Sequence, residues 1–426
     1  MSIQSGGRRL APLRATLFAG AFSLALGSAA FAADGLSLRD ALMRAAAFDP
    51  SVPATQARLD AAEAGLRQAG VRPNPTVGVD LENFAGTGSA SLLDRSETTL
   101  YYQQTLERGG KREARTDVAR AEITLAAARG DIHSLDLLAQ VQTAWIEALA
   151  AQAQVPVAEQ RLEIAIRLER DVSRRVAAAR DPLFTGERAR TAVAQARIAL
   201  DQARETARNA RAALAAYWGG DPDFTLDTTP FFTLDLTAPP PLGETPDLLL
   251  LGAERDAATA RIQLERSRSV QDPTVRGGVR YFGDGNAAAF VVGGSIPLGR
   301  YDTNKGAIEQ AQALRVAAER DLDVARIERE REIARLTARR AAAASEIARI
   351  DAEVMPSADR AARLVRDGFN QGGGAFTYME VVEAERAIID ARARRIDLLR
   401  SIHLDGVRLD RIFARHLSLI ARLEAR

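Results

Sequence analysis

The sequence predicts a mainly α protein that carries a transmembrane β-barrel, assembled from two internal repeats. Three observations predict it. The first is the stretch Gln103-Gln104-Thr105-Leu106-Glu107-Arg108-Gly109-Gly110-Lys111-Arg112. Residues alternate upstream of it as in a strand, and a charged, alanine-rich helical pattern runs for tens of residues downstream. The second is a matching strand-to-helix junction at Ile296-Pro297-Leu298-Gly299-Arg300-Tyr301-Asp302-Thr303-Asn304-Lys305-Gly306. The third is that the only two lysines, Lys111 and Lys305, each fall in one of these junctions.

Residues 1–32 read as a signal peptide. Arg8, Arg9 and Arg14 form a basic start, an apolar run follows from Leu17 to Leu26, and Ala30-Phe31-Ala32 is an A-x-A site. Cleavage is expected before Ala33. The apolar run is too short to cross a bilayer as a helix, and no later stretch is long and uncharged enough to do so. The exported chain is then either soluble in the periplasm or a β-barrel, the other structure that satisfies its backbone in lipid. A net charge of +1 gives no sign of a nucleic-acid partner. The absence of cysteine excludes disulfides, thiolate metal sites and a lipid-modified N-terminal cysteine.

The first repeat occupies 33–220. Leu36 to Ala47 is a short amphipathic helix that Asp49-Pro50 ends, and Ala54 to Ala69 is a second. Past Asn74-Pro75, a strand at 76–84 puts Val77, Val79 and Leu81 on one face and Thr76, Gly78, Asp80 and Glu82 on the other. A Gly/Ser-rich loop, Ala85 to Arg95, leads to a second strand at 96–106. Strands of about ten residues suit a tilted membrane crossing. A periplasmic hairpin with one buried face is the competing reading. Long helices then fill 111–217, interrupted at Pro156 and turned at Arg180-Asp181-Pro182-Leu183-Phe184-Thr185-Gly186.

Residues 221–246 are an irregular linker or equatorial segment, marked by Thr228-Thr229-Pro230-Phe231-Phe232 and Pro239-Pro240-Pro241. The second repeat occupies 247–426. Asp272-Pro273-Thr274-Val275 echoes Asn74-Pro75-Thr76-Val77. Strands follow at 275–282 and 289–297 around Gly283-Asp284-Gly285-Asn286, then long helices over 305–420. Pro356 mirrors Pro156, and the turn recurs from Gly368 to Phe376. Several markers in the same order make the repeat a strong signal.

Four strands per chain cannot close a barrel, since the smallest close with about eight. Open edges are not tolerated in lipid, so several chains must share one barrel. Three chains would make a 12-stranded one. The stretch from Lys111 to the first turn would reach about 100 Å into the periplasm at about 1.5 Å per residue.

This layout resembles the TolC-type outer membrane efflux proteins over nearly the whole mature chain. The junction from Gln104 to Arg115 (Gln-Thr-Leu-Glu-x-Gly-Gly-Lys-Arg-x-x-Arg) is similar to that of the cobalt–zinc–cadmium branch. The resemblance implies a homotrimer whose shared barrel continues into a long periplasmic α-helical barrel. It implies a heavy-metal efflux channel in the outer membrane, joined to a periplasmic adaptor and an inner-membrane resistance-nodulation-division pump. It implies no catalysis and no cofactor. The family's closed pore narrows at acidic residues just past the second turn. Counted from Gly374, these are Glu380 and Glu383, i,i+3 neighbours on one helix face. Three copies would form a carboxylate ring; the alternative is a solvated face paired with arginines such as Arg386. Phe184, Gly186, Gly374 and Phe376 lie at the tips where adaptors dock, with an ordinary apolar plug as the alternative for the two phenylalanines. Asp181-Pro182 departs from the family's first turn. Gly109 and Gly110 are expected to bend strand into helix, with Lys111 and Arg112 as interfacial anchors and Lys305 at the second junction.

No dedicated metal site is expected, because His133, His403 and His416 share no ligand spacing and the methionines are isolated. Two other functions stay open. One is the same channel serving drugs or other small molecules; the other is a soluble periplasmic coiled-coil adaptor, which would need a compact β domain.

Overall fold

The computed structural model describes residues 35–85, 87, 95–371 and 376–419. The expected signal peptide at 1–32, most of the Ala85–Arg95 loop, and Gly374 lie outside them. Two helices open the chain, α1 (Leu38–Phe48) and α2 (Ser51–Ala69). Ser37 starts α1 by accepting the Asp40 N–H at 3.2 Å, which satisfies one free donor of the first turn. Strands β1 (Thr76–Glu82) and β2 (Glu97–Thr105) follow. Helix α3 (Lys111–Ala177) runs down to the first turn and α4 (Leu183–Ala215) returns. A short α5 (Thr229–Phe232) and a longer α6 (Pro246–Arg268) lead to β3 (Thr274–Phe282) and β4 (Ala287–Ser295). Helices α7 (Lys305–Arg349), α8 (Met355–Gln371) and α9 (Tyr378–Ile412) complete the fold.

The four strands form one antiparallel sheet in the order β1-β2-β3-β4. Leu100 sits opposite both Val79 and Val279, so the two hairpins join through β2 and β3. The main core lies midway along the helices. There α1 buries Ala41, Leu42, Ala45 and Ala46 against Leu138, Val141, Leu149, Leu399 and Ile402. From the segment 219–246, Phe224, Leu226, Phe231 and Leu234 pack into this core. Leu36 bridges Leu226, and the fully buried Phe231 stacks on His403 with ring centres 5.3 Å apart. Burial holds His403 below the usual histidine range, and its Nε2 lies 2.8 Å from the Phe231 carbonyl.

Two expectations are corrected. Pro156 does not interrupt the first long helix; α3 is continuous over 67 residues with the proline inside. An interior proline costs about 3 kcal/mol, and the packing of α3 against α4 and α9 outweighs it. Polar bonds on both sides of the proline reinforce that packing, from Arg211 to Gln152 and from Arg204 to Glu159. Pro356 is handled differently. A wide π turn, Ile350–Val354, precedes it, and the proline enters the first turn of α8, where its missing N–H removes no bond within α8. The return helix α9 breaks at Ile412 rather than running unbroken towards residue 420: Ala414 takes a left-handed φ of 52°, and helical residues resume at 417–419.

The strands also shift slightly. β1 stops at Glu82, and β4 begins at Ala287 and ends at Ser295. The helix α6 was not read from the sequence; it packs beside α3 and α7.

Candidate functional site

The sheet has two chemically distinct faces. Val77, Val79, Leu81, Leu100, Tyr102, Val275, Val279, Phe290 and Val292 share one face by register. All are exposed, with Phe290 91% and Val292 86% accessible. Water does not favour nine large apolar side chains on one open face; lipid does. The other face carries Asp80, Glu82, Glu97, Thr99, Arg276 and Arg280. Gly78 lies on this face by register, and its position suits glycine because a Cβ there would come within 2.5 Å of the Tyr101 ring. Tyr101 in turn receives the Arg276 guanidinium 5.6 Å from its centre. Within the chain, β1 and β4 each pair on one side only.

Below the sheet, the first junction is a clasp built from both halves of the chain. Gly109 and Gly110 have φ of 72° and 73°, which makes the turn into α3. A Cβ on Gly109 would also meet Val270 at 2.7 Å, whereas Gly110 faces open space. Lys111 reaches Asp272 at 2.6 Å, and Asp272 accepts the Arg108 N–H at 2.9 Å. Arg115 pairs with Glu107 and donates to the Ala69 and Val71 carbonyls, tying down the end of α2. Lys111 therefore spends its charge on Asp272, while Arg112 is exposed. The second junction uses Asn304 at φ 59°, anchored to Glu265, with Lys305 exposed beside it.

At the far end of the helices, Arg175 holds the two turns together. It donates to Asp181 at 2.8 and 3.0 Å and to the Phe369 carbonyl at 2.5 Å. Its guanidinium stacks over the Phe369 ring at 4.2 Å. The tip residues separate by environment. Phe184 is 62% exposed next to the still more open Leu183 at 81%, and Gly186 sits in the first turn of α4. Phe376 is half-buried against Gly368 and the small core of Leu168, Val172, Phe369, Tyr378 and Val381.

Glu380 forms a capping box at the start of α9. It accepts the Thr377 N–H at 2.6 Å, and Thr377 Oγ1 accepts the Glu380 N–H at 3.4 Å. The backbone bond from Thr377 holds its carboxyl below the usual range. Glu383 is exposed and has no ion-pair partner among the described residues. Arg386 does not pair with either; it reaches Asp390 at 3.2 Å. A third acid on α9, Glu385, is 5% exposed and paired with Arg366.

Sequence reasoning missed Arg175, Arg280, Arg366 and the role of Asp272. The repeat marker Asp272-Pro273 is the one sequence signal at these positions. Among the described residues no group of three or more His, Cys, Asp or Glu side chains is placed to hold a metal ion, and no helix is long and apolar enough to cross a membrane.

Comparison with known proteins decides the family. The profile described as "Outer membrane efflux protein" matches residues 41–220 and 241–415. The chain belongs to the outer membrane efflux protein family. It is 31% identical to the cobalt-zinc-cadmium resistance protein CzcC of Cupriavidus metallidurans over 395 residues, 90% of this chain and 91% of that one. It is also 31% identical over 309 residues to the nickel and cobalt resistance protein CnrC of the same organism, 70% and 72% of the two chains. Among solved structures, the outer membrane protein VceC of Vibrio cholerae superposes with a TM-score of 0.70 at 21% identity, covering 88% of this chain and 95% of VceC. CusC superposes with a TM-score of 0.67 at 18% identity, covering 89% and 92%. The structural likeness shows a shared fold, mostly helical with a four-stranded sheet. As an outer membrane efflux protein, the chain has the family and fold of a channel rather than of an enzyme.

Proposed function

We propose that this efflux protein is the outer-membrane channel of a tripartite pump and passively conducts heavy-metal cations to the cell exterior. The observation that carries the channel reading is the two-faced sheet. An apolar outer face, an ionic inner face and two open edges require closure with further copies. Three copies close a 12-stranded barrel, and their long helices continue it as a periplasmic α-helical barrel. A homotrimer in outer-membrane lipid is the assembly we infer.

The cargo reading rests on similarity to metal-resistance proteins over nearly the full chain. In this reading Glu380 and Glu383 from three chains narrow the pore as a carboxylate ring. The exposed Leu183-Phe184 turn meets a periplasmic adaptor, which links the channel to a resistance-nodulation-division pump. Support for the ring comes from the exposure of Glu383 and the absence of an arginine partner for it among the described residues.

The test is growth of a deletion strain on graded zinc, cobalt, cadmium, copper and a drug panel, with metal retained per cell. Sensitivity confined to metals, with raised cell metal, supports the cargo reading and ranks the cations. Sensitivity to drugs alone overturns it and leaves a channel for small organic molecules.

A further inference from the structure

Glu82 and Glu97 face each other across β1 and β2, both on the polar side of the sheet. Like charges opposite one another are destabilising in an antiparallel pair. Arg280 on β3 resolves the conflict. One Nη lies 2.8 Å from Glu82, the other 2.6 Å from Glu97, and Nε donates to Thr99 Oγ1 at 2.9 Å. All three nitrogens of the guanidinium are engaged, across three strands. Lower on the same face, Arg276 faces Asp80 at 3.7 Å. Among the described strand residues of this face, two arginines thus answer three carboxylates, which leaves a surplus of one negative charge.

This constellation sits at the turn end of the strands, away from the helices. We infer that Arg280 is a specificity-determining residue for efflux: it sets the charge of the channel's outer mouth. The inference rests on the channel reading above. A mouth lined by free Glu82 and Glu97 would present two carboxylates per chain to an emerging divalent cation and retain it. With Arg280 in place the mouth favours cations weakly, and cargo leaves. Rings of like charge are a general means of ion selection in pores, and their strength follows the net charge of the ring.

The test uses the full-length protein reconstituted in planar bilayers. The reversal potential is read in a potassium chloride gradient, and Zn²⁺ added on the side of the hairpin turns is the probe of block. Arg280→Gln shifts the reversal potential toward cation selectivity and lowers the half-blocking Zn²⁺ concentration several-fold from that side only. Glu97→Gln moves the reversal potential the opposite way. Arg280→Lys, which keeps the charge but not the three-point geometry, stays near wild type. The double variant R280Q/E97Q, which keeps the leftover charge at one, also stays near wild type. If Arg280→Gln fails to assemble, Glu97→Gln and the double variant decide. Unchanged reversal potential and block in Arg280→Gln or Glu97→Gln overturn the inference. A wild-type protein with no conductance overturns the channel reading itself, which is a separate result.

Discussion

The Nζ of Lys111 lies 2.6 Å from the carboxylate of Asp272, and both side chains are largely buried. One residue begins the first long helix, and the other precedes the third strand. The pair therefore holds the two halves of the chain at the level where sheet gives way to helix. Burial pushes the Asp272 carboxyl up, but bonds from Lys111 and the Arg108 N–H outweigh that and lower it overall. Asp272→Ala leaves the Lys111 charge without its partner and should cost about 1–3 kcal/mol. A lower dissociation temperature of the detergent-purified oligomer would register this. A depressed carboxylate contributes its stability above the unfolded value, about 3.9. That contribution is lost as pH falls through the lower folded value. The clasp should therefore hold unchanged from pH 8 to pH 5, with a dissociation temperature that drops only in stronger acid.

The two glycines of the junction should respond differently to substitution. Gly110 needs only its left-handed φ, which asparagine tolerates, as Asn304 does at the second junction. Gly110→Asn should be nearly neutral. Gly109 needs the same φ and also the space that Val270 occupies. Gly109→Ala should cost about 1–3 kcal/mol of strain, with steric displacement of Val270 in addition. Thermal dissociation of the two variants side by side would check this; equal losses would contradict it.

Arg175→Ala should uncouple the two turns at the tip. It removes the paired bonds to Asp181, the bond to the Phe369 carbonyl and the stacked contact with the Phe369 ring. Amides around Ala178–Asp181 and Arg366–Asn370 should then exchange faster with solvent, with no change in the sheet. Arg175→Lys should not restore protection, because a lysine ammonium has neither the planar fork nor the stacking face.

Glu380 and Glu383 separate structure from conduction. Glu383→Gln should leave stability unchanged, since the side chain is exposed and lacks an ion-pair partner among the described residues. Its cation selectivity in bilayers should fall. Glu380→Gln keeps an acceptor for Thr377 and should behave in the same way, whereas Glu380→Ala should also fray the start of α9. Unaltered selectivity in both glutamine variants would sink the carboxylate-ring proposal.

Phe184 and Leu183 stand exposed at the first turn, outside any core cluster. Phe184→Ser should leave the oligomer as stable as wild type and yet reduce cross-linking to the adaptor in cells. Phe376→Ser should instead loosen the tip, because its ring covers Gly368 beside the buried Phe369.

The sequence by itself determined the mostly helical class, the presence of two-faced strands and the bend that joins them to the long helices. Alternation of Val77, Val79 and Leu81 with Thr76, Gly78, Asp80 and Glu82 marks a two-faced strand, and it does so locally. Long runs of alanine, arginine and glutamate mark helices in the same local way, and Gly109-Gly110 marks the bend between them. Only the tertiary structure decided which distant groups meet. Nothing in the residue order brings Arg280 to Glu82 and Glu97, Arg175 to Phe369, or Asp272 to Lys111. Those contacts depend on β2 pairing with β3 and on two helical hairpins ending side by side. Pro156 makes the same point in reverse. Its local preference is to break a helix, and the packing of α3 on both sides overrides it, because neighbours far away in the chain contribute more than one lost hydrogen bond removes. Glu380 was legible as an acid at the tip, but its bond to Thr377 became visible only once the start of α9 was placed.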